Sequence, residues 1–140
     1  KWTSNHYRWI VWKLAGMQSA WTHLSNEPKL VVPALCPEEI VRELLYRYQR
    51  EICQVDRSCL HKIVERDELP ARPMVLCIAQ CIEQQTAPPD AGSTSSQQYL
   101  LELSDGWHSV VATVDTTLES AIRRGKLRVG SKISVVGASL

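Results

Sequence analysis

The sequence predicts an α+β chain in two parts, and three features of its patterning carry that prediction. Apolar residues recur at three- and four-residue spacing up to about residue 70. From Pro73 the period changes to strand-like runs. Within those runs Asp105-Gly106 separates two alternating apolar segments of the stretch Tyr99 to Val114, which is the strongest short-range signal for a β-hairpin.

The first helix starts where Ser4 or Asn5 can cap it, and Tyr7, Ile10, Val11, Leu14, Met17 and Trp21 form its expected core stripe. The opposite side carries Trp9, Trp12, Gly16 and Ala20, flanked by Arg8 and Lys13. Such a face needs a second neighbour: either another part of the same protein, or a separate chain. For a separate chain, small residues allow close approach, indoles supply area and the cations favour an acidic ligand. Arg8, Trp9, Trp12, Lys13 and Gly16 are therefore the candidate partner-binding residues.

Residues 22–36 read as a loop packed through Leu30, Val31 and Val32. Pro37, with Glu38 and Glu39 behind it, opens a second helix that runs to about Ile52. Its expected buried stripe is Ile40, Val41, Leu44, Leu45, Tyr48 and Ile52, with Glu38/Arg42 and Glu43/Arg47 as a solvated face of i, i+4 pairs. A shorter third helix follows Asp56 or Ser58, with Leu60, Ile63 and Val64 inward.

Met74 to Ile82 is apolar on both sides, as in a strand with two dry faces. Residues 84–98 hold no large apolar side chain before Tyr99 and read as a flexible surface loop. A two-residue turn at Asp105-Gly106 pairs Ser104 with Trp107, Leu103 with His108, Leu101 with Val110 and Tyr99 with Ala112. That register buries Tyr99, Leu101, Leu103, His108, Val110, Ala112 and Val114, and puts Trp107 on the outer face. Thr116-x-x-Glu119 reads as a capping box for a short helix closed by Gly125, and Lys132 to Ala138 as a last strand. Three strands, a helix and a strand match a five-stranded oligonucleotide-binding (OB-fold) barrel without its fifth strand. The expected architecture is thus a helical layer (residues 1–70) packed on a partial, four-strand OB-fold barrel (residues 73–140).

Composition narrows the function. A net charge of +1 on 140 residues gives no bulk field for nucleic acid or anionic membrane, so a nucleic-acid site must be a local patch. No apolar run approaches the length of a membrane span. Cys36, Cys53, Cys59, Cys77 and Cys81 are odd in number with no signal peptide ahead of them, which predicts free thiols in a reducing compartment. The opening at Lys1-Trp2 is what a segment of a larger protein would show. Cys53, Cys59 and His61 lack the paired C-x2-C spacing of a zinc site, and no glycine elbow or oxyanion motif accompanies a nucleophile. Neither metal, cofactor nor catalysis is expected, and His6 and His23 read as hydrogen-bonded structure. The candidate DNA-binding residues are Trp107 with Arg123, Arg124, Lys126, Arg128 and Lys132, an aromatic beside cations. The bland alternative is that Trp107 packs against a neighbouring domain.

NHYRWIVWKLAGM (5–17), ELLYRYQREI (43–52), HKIVERDE (61–68), MVLCI (74–78), LELSDGWHSVVATVD (101–115) and GKLRVGSKISVVGA (125–138) together resemble one family. It is the breast cancer type 2 susceptibility protein family, at the junction of its helical domain and first OB-fold. The resemblance implies a noncatalytic, nuclear DNA-repair module of homologous recombination, within a protein that loads a RecA-like recombinase onto single-stranded DNA. It implies a small acidic partner, the proteasome-lid subunit named for split hand/split foot malformation, and places most DNA contacts on barrels beyond this segment. A stand-alone single-stranded nucleic-acid-binding OB module is the competing reading.

Overall fold

In a computed structural model of the chain, residues 1–24, 35–85 and 97–139 are described. The elements are α1 (Trp2–Leu24), α2 (Pro37–Tyr48), a π-helical turn (Gln49–Cys53), α3 (Cys59–Val64), β1 (Met74–Gln85), β2 (Gln97–Ser104), β3 (Ser109–Thr113), α4 (Thr116–Arg123) and β4 (Lys132–Val135). Two compact units result. One holds Lys1–Leu69 with Gly106–His108, the other Pro70–Asp105 with Ser109–Leu140. Most of the expected loop at 22–36 and of that at 84–98 lies outside the described residues.

In the first unit α1 is turned relative to expectation. His6, Trp9, Ile10 and Leu14 are buried, while Tyr7 is 51 % and Met17 39 % exposed. Both stripes share Ile10 and Leu14; rotating toward Trp9 buries the larger indole and sets His6 against a buried carboxylate described below. A similar correction applies to α2. Arg47 and Glu51 are buried, whereas Val41, Leu45, Tyr48 and Ile52 are about half exposed or more. Of the side expected to be solvated, Glu43 and Arg47 turn inward, while Glu38 and Arg42 stay exposed. Pro37 begins α2 and the acidic first turn is present, so the start of the helix follows the expected chemistry. The Ser58 hydroxyl caps α3 by accepting from the His61 amide, and Leu60 and Ile63 face inward while Val64 does not.

The second unit is built on a four-stranded antiparallel sheet in the order β3-β2-β1-β4, with α4 between β3 and β4 in sequence. Its buried residues include Leu76, Ile78, Tyr99, Leu101 and Leu103. A bulge between Ile78 and Gln80 shifts the register, so Ile78 opposes Leu103 and Cys81 opposes Leu101. β1 does not have two dry faces: Val75 is 66 % exposed.

The hairpin register is displaced by two residues. Leu103 opposes Val110 and Ser104 opposes Ser109, leaving Asp105, Gly106, Trp107 and His108 as the connection. Only Gly106 of these has a positive φ, +91°, so the two-residue turn does not form. An even shift keeps side-chain parity, and the buried face of Tyr99, Leu101 and Leu103 survives. α4 starts one residue earlier than the Thr116 box implied, since the Asp115 carboxylate accepts from the Leu118 amide at 2.7 Å. Gly125, at φ +68°, closes it.

Candidate functional site

A buried polar cluster of the first unit surrounds Glu51, which the π-helical turn after α2 carries inward. Its Oε2 accepts from Trp2 Nε1 at 2.7 Å and lies 2.8 Å from His6 Nε2. Its Oε1 meets His61 Nδ1 at 2.5 Å, with His108 Nε2 4.0 Å away. Arg47 NH1 is 3.4 Å from His6 Nδ1, and Ser58 Oγ is 3.2 Å from His108 Nδ1. Burial acts to raise the Glu51 pKa, but the Trp2 and His61 hydrogen bonds and the nearby His6 and His108 outweigh it and hold the carboxyl below its usual range. Burial lowers the pKa of His6; the Glu51 charge opposes this, while Arg47 and His108 add to it.

Sequence reasoning missed Glu51, Arg47, His61 and His108 as members of one cluster. The available signal was the i, i+4 spacing of Arg47 and Glu51 on the helix that follows Pro37, with His6, His61 and His108 elsewhere in the chain to meet them.

The partner-binding candidates on α1 are not brought together as an open groove. Trp9 is 1 % exposed, and its indole N–H has no hydrogen-bond partner among the described residues. Trp12 is half-buried and meets Trp9 edge to face at 5.8 Å. Arg8 is exposed, with its guanidinium 4.6 Å from the Trp9 ring centre. Lys13 pairs with Glu43 at 3.3 Å. Gly16 is exposed, and a Cβ there would meet nothing within 4 Å, so no described neighbour requires a glycine.

Trp107 is not on the outer face of a strand. It belongs to the first unit, with the Arg47 guanidinium 5.2 Å over its ring, His6 edge-on at 5.7 Å and Tyr46 at 6.4 Å. Its carbonyl accepts from Asn5 Nδ2 at 2.8 Å. These contacts explain why residues 105–108 leave the ladder: Trp107 and His108 both find partners on the helices.

The cationic candidates lie in the second unit. Arg123 pairs with Glu119 at 2.6 Å and its guanidinium is 5.7 Å from the Tyr99 ring centre. Arg124, Lys126, Arg128 and Lys132 are exposed and have no carboxylate partner among the described residues. A depression of about 430 Å³ is lined by Thr116, Thr117, Ser120, Ala121, Arg124 and Lys126. Backbone anions fit such a surface; stacking bases have no aromatic platform at Trp107.

Profile comparison matches residues 1–58 to "BRCA2, helical" and residues 58–140 to "BRCA2, oligonucleotide/oligosaccharide-binding, domain 1". Among curated proteins, Protein BREAST CANCER SUSCEPTIBILITY 2 homolog A of Arabidopsis thaliana is 34 % identical over 148 residues, covering 100 % of this chain. Homolog B of the same plant is 36 % identical over 152 residues, again covering 100 % of the chain. The chain spans 12 % of the length of each of these relatives. No helix among the described residues is long and apolar enough to cross a membrane.

Proposed function

The chain belongs to the BRCA2 family, and from that premise we propose that it is a noncatalytic DNA-repair module acting in the nucleus in homologous recombination. Its own contribution is weak, sequence-indifferent binding of single-stranded DNA by the second unit. The observation that carries this is the set of exposed cations without carboxylate partners, Arg124, Lys126, Arg128 and Lys132, around and after the end of α4. Phosphate contacts of this kind hold a strand without reading its bases. A RecA-like recombinase would be engaged through other regions of the parent protein.

A second reading, docking of a small acidic proteasome-lid protein, rests on a row of exposed apolar residues on α2 and the turn after it. Val41, Leu45, Tyr48 and Ile52 recur at helical spacing and remain about half exposed or more. This row, more than buried Trp9, is the surface a partner would cover.

Fluorescence anisotropy of a labelled thymidine oligonucleotide, titrated with the chain at several salt concentrations, tests the first reading. Four phosphate contacts predict a slope of log affinity on log salt no steeper than about −2.8. Replacing Arg124 and Lys126 with alanine should flatten it by about 1.4. No binding at low salt would reject a DNA role for this segment.

A further inference from the structure

We propose that His6, Glu51 and His108 form a binding site for a divalent metal ion of the type that takes imidazole and carboxylate donors, Zn2+ foremost. One ligand atom from each lies within 4.8 Å of the others. A tetrahedral zinc with bonds near 2.0–2.2 Å separates its ligands by roughly 3.3 Å. His6 Nε2 and Glu51 Oε2 stand 2.8 Å apart and all three atoms lie within 4.8 Å, so closure asks for a slight opening of that pair and a shift of up to about 1.5 Å at His108, the most exposed of the three.

The arrangement around these atoms is that of a supported site. The rings of His6 and His108 are perpendicular, with centres 5.5 Å apart, and each directs a nitrogen at the same carboxylate. Trp2 and His61 orient that carboxylate, and Ser58 holds the far nitrogen of His108. His61, its ring centre 4.5 Å from that of His108, stays with Glu51 through Nδ1 as an orienting partner, which leaves the fourth position of the ion to water. The proton-only arrangement leaves a defect: His6 Nε2 is buried and, despite its 2.8 Å approach to Glu51, lacks hydrogen-bond geometry. A metal ion at that nitrogen removes the defect.

Arg47 opposes binding. Metal at His6 Nε2 places the ring proton on Nδ1, which faces Arg47 NH1 at 3.4 Å. That contact is long, and Glu43, 4.0 Å from Arg47 Nε, offsets part of the guanidinium charge.

The test is a titration of the chelator-treated 140-residue chain with Co2+ as a spectroscopic probe. The expected result is the intense visible absorption of four-coordinate Co2+, saturating at one equivalent and bleached by one equivalent of Zn2+. His108→Gln should abolish it, and Ser58→Ala should weaken binding by about 10- to 100-fold. Cys53 and Cys59 are nearby thiols in sequence, so the Cys53→Ser/Cys59→Ser variant should keep the signal. The weak absorption of six-coordinate Co2+, survival of the signal in His108→Gln, or its loss in the cysteine variant would each overturn the proposal. His6→Gln removes a fully buried ring; should it fail to fold, His108→Gln decides alone.

Discussion

The guanidinium of Arg47 lies 5.2 Å above the ring of Trp107, and His6 meets the same indole edge-on at 5.7 Å. An indole clamped in this way is part of a core, not a platform for bases. We therefore expect Trp107→Ala to lower the stability of the chain by about 2–3 kcal/mol, short of the full cost of deleting a wholly buried indole. Affinity for a thymidine oligonucleotide, measured where the variant is still folded, should stay within about twofold, because phosphate contacts on the second unit do not involve it. Loss of DNA binding with unchanged stability would contradict both parts.

Glu51→Ala should be among the most damaging single changes. It strips the shared acceptor from Trp2 and His61 and leaves Arg47 buried with less negative charge about it. Removing one member of a buried charged network typically costs about 3–5 kcal/mol. Urea unfolding should show a lowered midpoint, and a loss under about 1 kcal/mol would mean that the cluster contributes little to the first unit.

Glu51 also marks where sequence patterning stops being informative. Strands β1 to β4, the helix between the last two, and the parity of the hairpin follow from the apolar run Met74 to Ile82, the alternation after Tyr99, Gly125 and the Thr116-x-x-Glu119 box one residue beyond the cap that forms at Asp115, all local signals. The inward face of α2 does not. A rule that sends charges outward assigns Arg47 and Glu51 to solvent, and partners from distant segments, Trp2, His6 and His61 at Glu51 and Trp107 at Arg47, make their burial tolerable. The same partners explain the hairpin. Asp105-Gly106 favours a two-residue turn, but contacts to Asn5, Arg47 and Ser58 hold Trp107 and His108 outside the ladder. Long-range polar pairing overrode a local preference in both places, so the OB-type sheet was legible and the cluster was not.

Trp9 separates packing from partner binding. Trp9→Ala should cost about 3–5 kcal/mol, since it empties a buried site of indole size. Trp9→Phe should cost less than about 2 kcal/mol: it leaves a smaller void and removes an N–H that has no hydrogen-bond partner among the described residues. Thermal denaturation of the two variants checks this. Equal losses would show that the indole nitrogen contributes more than its surroundings imply.

The cysteines should label in an order set by burial. Cys53 is exposed, whereas Cys77 and Cys81 are half-buried on β1. Burial pushes the Cys77 thiol above its ordinary pKa against a smaller opposing pull from Lys132, and burial with the Glu83 charge does the same to Cys81. The thiolate is the nucleophile, so a raised pKa means less reactive sulfur near pH 8. Pulsed iodoacetamide followed by mass spectrometry should find Cys53 modified first, and Cys77 and Cys81 several-fold more slowly. Raising the pH should narrow that gap as the two half-buried thiols ionise. Equal rates at pH 8 would show that β1 opens faster than the reagent reacts, and that the sheet does not protect these thiols.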